Sequence, residues 1–275
     1  MFNRAMMRRY APDYVPCSMR LGQPGDIGDG IRLGQSVGGQ VGNMDRCCTF
    51  IFINPPSAWV RGVIVGRNGQ RICNEEYYGS TIGVHMVEKA GGKAVLVLDE
   101  DAMSEARKQM RTEYMGGFQK YAGYLNNHIN RKKAWTIEEL EEKCGFAPGQ
   151  LVSVIDTYNA GVHAGKDEWG KNEKYLYPVE KAPFYAINLD VDERTFMTPH
   201  FTIGGLRVED LTQRVLREDG TPIEGLYAAG RTAVGVSSHS YVSGLSVADC
   251  IFSGRNAGRS ISGTGARQKA AGAAA

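Results

Sequence analysis

Residues 225–259 read "GLYAAGRTAVGVSSHSYVSGLSVADCIFSGRNAGR". Glycine, alanine and serine crowd this stretch, which then runs into a helical pattern. Small residues let a backbone approach another group closely, so a segment this rich in them is built to lie against something. In "SVADCIFSGRNAGRSI", Val247, Cys250 and Ile251 recur with the small Gly254 and Gly258 at helical spacing and predict one packed helix face.

The other end of the chain has the same texture. "GQPGDIGDGIRLGQSVGGQVG" predicts a helix from about Gly30 to Val41, fed by the turn Gly28-Asp29-Gly30. The middle is more ordinary. "CTFIFI", "AWVRGVIVG" and "AVLVLDE" read as strands, and "SEARKQMRTEYMGGF" as a helix. "TIEELEEKCG" is a helix with a capping box, Thr136 and Glu139, and a stop at Gly145. "APGQLVSVIDTYNAGVHAG" is a second helix with Pro148 near its first turn. From about Pro183, "FYAINLDV" and "FTIGGLRV" are strands, and "RVLREDGTPIEGLYAAG" is a strand, an Asp-Gly turn and a strand. The fold class is therefore α/β (α+β). Glycine-rich ends around an ordinary middle predict a discontinuous domain from residues 1–47 and 196–264. Residues 48–195 are inserted into it, and 265–275 form a low-complexity, disordered tail.

Composition narrows the functions. Hydrophobic residues make up 42% and charged residues 23% of 275, enough for a sizeable core, and the net charge of +2 does not suggest a nucleic-acid partner. The basic run Arg131-Lys132-Lys133 reads as solvated surface. No apolar run reaches the roughly 20 residues of a membrane span, and the first residues carry no signal-peptide core. The six cysteines form no CxxC pair and no zinc-like spacing with histidine. Reduced thiols in a cytoplasmic protein without a metal site are the expectation.

Four small-residue clusters stand out: Gly28-Asp29-Gly30, Gly204-Gly205, Gly230 and Gly244-Leu245-Ser246. Two precede helices, whose free N-terminal N–H groups favour an electron-rich or anionic ligand atom. Turns and tight helix packing are the alternative.

The chain resembles the flavoprotein family of fumarate reductases and 3-ketosteroid dehydrogenases, and within it the ketosteroid-dehydrogenase-like branch. The resemblance is carried by "GDGIRLGQSVGG", "GQRICNEEYYG", "YNAGVHAGKDEWGK", "FTIGGLRV" and "GLYAAGR…SGLSVADCIFSGRNAGR", in this order and spacing. It implies FAD as cofactor, with the C-terminal part of a split FAD-binding domain and residues 48–195 as an α+β substrate cap. It implies cofactor contacts from Gly28, Asp29, Gly30, Gly204, Gly205, Gly230, Arg231, Gly244, Leu245, Ser246 and Val247. One departure is large. The family's G-x-G-x-x-G loop, which cradles the pyrophosphate, is absent from this sequence. Autonomous FAD retention is therefore in question, and the readings of an incomplete flavoprotein or a subunit completed by another chain stay open.

The resemblance also separates two chemistries. Where the dicarboxylate-handling branch has an arginine and a histidine, this chain has Tyr241 and Phe201, with His200 one residue off. Without that cationic clamp a neutral ketone or steroid is the expected substrate, with a fumarate reductase-like activity as the further alternative. Dehydrogenation beside a carbonyl needs a group that removes a C–H proton, while the flavin takes the hydride and passes electrons to an external acceptor. Tyr241 and Ser243, in the "Y-x-S-G" of ketosteroid dehydrogenases, are the candidates, two apart on one side of an extended segment. Tyr78, or its neighbour Tyr77, is the candidate second tyrosine. His239 is a weaker candidate; packing is the alternative for the tyrosines, and capping or backbone hydrogen bonding for His239.

Overall fold

The computed structural model describes residues 1–112, 116–196, 198–237 and 240–263. The first part of the chain forms α1 (Arg4–Tyr10), β1 (Met19–Arg20), α2 (Asp29–Ser36), β2 (Val41–Gly42) and β3 (Cys47–Thr49). The middle forms β4 (Val63–Gly66), α3 (Gly79–Ala90), β5 (Ala94–Leu98), α4 (Glu100–Thr112), α5 (Gly117–His128), β6 (Arg131–Ala134), α6 (Ile137–Cys144), α7 (Gln150–His163) and β7 (Phe184–Asn188). The last part forms β8 (Pro199–Thr202), β9 (Gly205–Leu206), β10 (Arg214–Leu216), β11 (Pro222–Tyr227) and α8 (Leu245–Ile261). Two compact units result. The first comprises residues 1–15, 20–48 and those from His200 onward, the second residues 16–19 and 49–199. The predicted tail lies outside the described residues.

The second unit is built on an antiparallel sheet in the order β4-β5-β7-β6. Its inner strands are apolar runs because both faces are covered. Val63, Val65, Val95, Val97, Phe184 and Ala186 pack with Leu140, Leu151, Ile155 and Tyr158 of α6 and α7. The alternating Ile64, Leu96, Leu98 and Ile187 are just as buried. Thr136 Oγ1 accepts the Glu139 N–H at 3.1 Å and Gly145, with φ of 76°, closes α6 as its capping signals predict. The buried Glu141 carboxylate then caps α7, accepting N–H groups of Gly149 and Leu151, each at 2.7 Å.

Gly83 packs α3 against Thr49. A Cβ at this position would fall well inside contact distance of the Thr49 carbonyl, a backbone group that cannot swing away. Gly83→Ala is expected to destabilise this unit by about 1–3 kcal/mol through overpacking, read as a lower urea midpoint.

Two sequence motifs meet in this unit's interior. Arg71 and Glu75 come from "GQRICNEEYYG", Tyr158, Asp167 and Lys171 from "YNAGVHAGKDEWGK". Lys171 Nζ lies 2.8 Å from Glu75 Oε2 and donates to the Gly62 carbonyl at 2.7 Å and to the Tyr158 hydroxyl at 3.3 Å. Arg71 pairs with Glu75 at 2.8 Å and with Asp167. All four charged side chains are buried, and their formal charges cancel. Burial alone would raise the Glu75 pKa; the adjacent Lys171 and Arg71 outweigh it and hold the carboxyl below its ordinary range.

Several elements differ from expectation. The predicted helix at 30–41 starts at Asp29 and ends at Ser36, because Gly38, at φ of 88°, turns the chain out toward β2. Of "CTFIFI" only Cys48 and Thr49 lie in a strand, β3, the run ahead meeting Pro55 and Pro56, which lack N–H donors. "AWVR" belongs to a 3-10 helix, Ser57–Arg61. The helix expected at 104–118 is α4, and α5 follows as a separate helix. Pro148 precedes the cap residue of α7, Gly149.

In the first unit β10 and β11 form the hairpin around Asp219-Gly220, and β2 pairs with β9. Its core is Leu206, Val215, Ile223, Ala228 and Ala233. The predicted packed face of α8 is not packed. Val247 and Ile251 are 65% and 59% exposed, Gly254 and Gly258 have open space beside them, and only Ser253 is buried. The helix rests mainly on the turn at Gly230–Thr232. All six cysteines are free, five buried and Cys250 exposed.

Candidate functional site

The small-residue clusters converge in the first unit. Gly30 of α2 faces Thr232, where a Cβ would come 2.9 Å from its Cγ2. Gly205 of β9 lies against the same residue's backbone, where a Cβ would come 2.6 Å from the Thr232 carbonyl oxygen. Gly204 packs as closely on Met44, 2.6 Å from its Cα. Gly204 and Gly205 serve close backbone packing, and Gly30 makes room for the Thr232 side chain. Gly230 holds φ of 56° beside Cys250, and its N–H donates to Ser253 Oγ at 2.9 Å. The turn, β9 and the starts of α2 and α8 thus belong to one compact arrangement. The first residue of α8 lies about 8 Å along the helix axis from Cys250, at 1.5 Å per residue.

Both predicted helix starts form. Gly28 and Gly244 are the cap residues of α2 and α8, at φ of 85° and 89°, and neither helix has a side-chain cap. The first-turn N–H groups keep the partial positive charge of a helix start. At Gly244 only the left-handed backbone demands glycine, since the space around a Cβ there is open. Asp29, in the first turn of α2, pairs with Arg32. Arg231 is exposed and pairs with Asp26 at 2.8 Å.

Tyr241 sits at the start of α8. Its hydroxyl accepts the Gly244 N–H at 3.2 Å and lies 3.1 Å from Ser246 Oγ. The Gly244 N–H is thus engaged by the phenol and the Leu245 N–H by the Val242 carbonyl, leaving Ser246 and Val247 as the remaining residues of that helix start. The expectation that Tyr241 and Ser243 share one side of an extended segment does not hold. Leu245 N–H donates to the Val242 carbonyl at 3.1 Å and closes a turn there, which brings Ser246 to the phenol. Ser243 is exposed in the turn. Nothing in the sequence pattern marks Ser246 as that partner. The Phe201 ring meets the Tyr241 ring edge-on at 4.8 Å and 87°. β8 buries His200 and leaves Phe201 partly exposed, as strand alternation requires. The two positions of the expected dicarboxylate clamp therefore hold an aromatic pair.

Tyr78 lies in the second unit, capping α3, 40% exposed and edge-on to Phe50 at 5.0 Å. Tyr77 is edge-on to His85. His239 lies outside the described residues. Among the described residues no cluster of His, Cys, Asp and Glu could hold a metal, and no helix is long and apolar enough to cross a membrane.

These residues fit the ring portion of a flavin. The starts of α2 and α8 offer uncapped first turns, and in the same unit Ser237 Oγ and Asn256 Nδ2 are buried without a partner among the described residues. The family described as FAD binding domain matches residues 2–247. A 3-oxo-5-alpha-steroid 4-dehydrogenase of Comamonas testosteroni is 32% identical over 225 residues, 82% of this chain and 42% of that protein. A fumarate reductase of Schizosaccharomyces pombe is 26% identical over 276 residues, 94% of this chain and 50% of that protein. The crystal structure of 3-ketosteroid-Δ4-(5α)-dehydrogenase from Rhodococcus jostii RHA1, in complex with 4-androstene-3,17-dione, superposes with a TM-score of 0.80 at 30% identity, covering 94% of this chain and 50% of that one. The chain thus spans about half the length of these relatives. With a family match along nearly its whole length, the chain belongs to the FAD binding domain family.

Proposed function

We propose that this chain is the cap-bearing part of an FAD-dependent dehydrogenase that acts on a CH–CH bond beside a ketone, with a 3-ketosteroid as substrate class. The observation that carries the reading is the Tyr241 phenol at the start of α8. It is held by the Gly244 N–H beside the Ser246 hydroxyl and packed on Phe201 instead of on a cation. Such a site suits a neutral, flat substrate. Bound FAD supplies the hydride acceptor. The first turns of α2 and α8, with Gly204, Gly205, Gly230 and Arg231 around them, would hold the cofactor. Tyr241 Oη would take the proton from the carbon next to the carbonyl as its own phenolic proton passes to Ser246 Oγ, whose hydroxyl proton goes on to water, and Tyr78 is the second tyrosine in reserve. Fumarate reduction is disfavoured by the aromatic pair.

A second reading concerns completeness. The exposed apolar residues of α8, Val247, Ile251 and Phe252, favour a cofactor site finished by a further nucleotide-binding segment, on this chain or another. Titrating FAD into the 275-residue chain, with and without the nucleotide-binding segment of a relative, tests both readings. Weak retention by the chain alone and tight retention with the segment are expected. Stoichiometric flavin on the chain alone would refute the second reading. Gly244→Val, which forces a β-branched residue to φ of 89°, should strip flavin from the complemented protein. Unchanged flavin absorbance per mole would remove α8 from the cofactor site. Turnover of a 3-ketosteroid against fumarate by the loaded protein decides the substrate class.

A further inference from the structure

We propose that a narrow aromatic cleft in the second unit recognises a carbonyl at the far end of a flat apolar ligand, with the Trp59 indole as its hydrogen-bond donor. The inference deepens the ketone reading above and rests on it. The cleft is lined by Phe52, Pro55, Trp59, Phe118, Asn126 and Phe196, and no charged residue lines it. Trp59 is 1% exposed, and its Nε1 has no acceptor among the described residues. A buried indole N–H without a partner is costly, and it is a donor only. The group that completes it must bring an acceptor. With no cation in the lining to offset a carboxylate, a neutral carbonyl oxygen is the matching chemistry.

Of the other polar side chains in the lining, Gln119 Oε1 accepts the Gly116 N–H at 3.1 Å and Asn126 is paired at both ends of its amide. Asn126 Nδ2 donates to the Ala122 carbonyl at 2.9 Å, and its Oδ1 accepts from Asn130 at 2.8 Å. Gln109 fixes the 3-10 helix that carries Trp59, accepting the Ala58 N–H at 2.9 Å. Trp59 is therefore held in place with its donor unused.

A row of rings leads away from the cleft. Phe118 meets Phe52 at 5.7 Å, Phe52 meets Phe50 at 4.4 Å, and Phe50 meets Tyr78 at 5.0 Å. Phe118 and Tyr78, at its ends, are 42% and 40% exposed. The row gives a flat apolar ligand a continuous aromatic surface. One end of the ligand lies by Tyr78, the candidate second tyrosine, and the other reaches Trp59. Trp59 is then a specificity-determining residue, separate from the groups that move protons.

Binding of 4-androstene-3,17-dione and of 4-androsten-3-one, which lacks the second carbonyl, to the full 275-residue chain tests this. The expected result is about tenfold tighter binding of the dione, the scale of one satisfied buried donor. Trp59→Phe should erase that preference by weakening the dione alone. In the unaltered chain the Trp59 indole N–H resonance, distinguished from those of Trp135 and Trp169 by Phe variants of these two, should move with the dione and stay with the mono-ketone. This readout decides the matter even where Trp59→Phe does not fold. Equal binding of both ketones, or an unmoved indole resonance on dione binding, overturns the carbonyl site and leaves the ketone reading standing. Binding of neither ketone likewise overturns the carbonyl site, while the ketone reading is decided by turnover in the FAD-loaded, complemented protein.

Discussion

Lys171→Met is expected to cost the second unit about 3–5 kcal/mol, the scale of removing one partner from a buried ion pair. The ammonium is fully buried and serves Glu75, the Gly62 carbonyl and the Tyr158 hydroxyl together. Methionine fills a similar volume but leaves a net negative charge in the interior. Urea unfolding followed by circular dichroism measures the loss. Combining Lys171→Met with Glu75→Gln should cost clearly less than the sum of the two single changes, since the double variant removes the stranded charge. Additive losses would show that the pair is not coupled. Acid should act through the same carboxylate. A glutamate whose folded pKa is lowered adds stability above its ordinary value of 4.5 and gives it up as the pH falls through the folded value. Stability of the native chain should therefore fall as the pH drops below about that value, and Glu75→Gln should flatten this limb.

Tyr241→Phe is expected to lower ketosteroid turnover by the roughly 10²–10⁴-fold that a general acid–base group contributes, about 3–5 kcal/mol at about 1.4 kcal/mol per tenfold. The measurement is made in the FAD-loaded, complemented protein. KM should change little, because the ring and its contact with Phe201 remain. The phenol also accepts the Gly244 N–H, so flavin content is checked in parallel. A parallel drop in flavin and turnover marks a positioning role. A drop in kcat at full flavin content marks proton transfer. Ser246→Ala should show a smaller loss, since water can stand in for a relaying hydroxyl, and Ser243→Ala a smaller one still. Near-complete turnover in Tyr241→Phe moves the base elsewhere, with Tyr78 next.

What could be read from the sequence follows from which interactions are local. α6 was legible because its cap, Thr136, and its stop, Gly145, lie within one helix length of each other. β5 was legible because a strand covered on both faces is an uninterrupted apolar run. The starts of α2 and α8 were legible because a left-handed cap leaves a glycine behind. Contacts between distant segments were not. Arg71 and Lys171 each look like an ordinary surface charge in the sequence, and only the fold shows that they share Glu75. The Tyr241–Ser243 pairing failed for a local reason, since a two-residue spacing fixes a shared face only in a strand and this segment turns. The packed face expected of α8 failed because periodicity reports an apolar stripe without saying what covers it. The link from Trp59 to Phe118 crosses from a 3-10 helix to α5 and has no signature along the chain.

The distribution of the cysteines gives each unit its own chemical clock. Cys250 is exposed, whereas Cys47 and Cys48 are buried in the first unit and Cys17, Cys73 and Cys144 in the second. Burial pushes the Cys17 thiol up to about 11 and the Cys73 thiol to about 12, so neither offers thiolate to a reagent while its surroundings stay closed. A small aromatic disulfide reagent should therefore consume one equivalent at once and the other five only as the chain opens. Three slow equivalents report breathing of one unit and two report the other. The stoichiometry of each kinetic phase thus tells which part of the molecule opens first, with no label, variant or cofactor required.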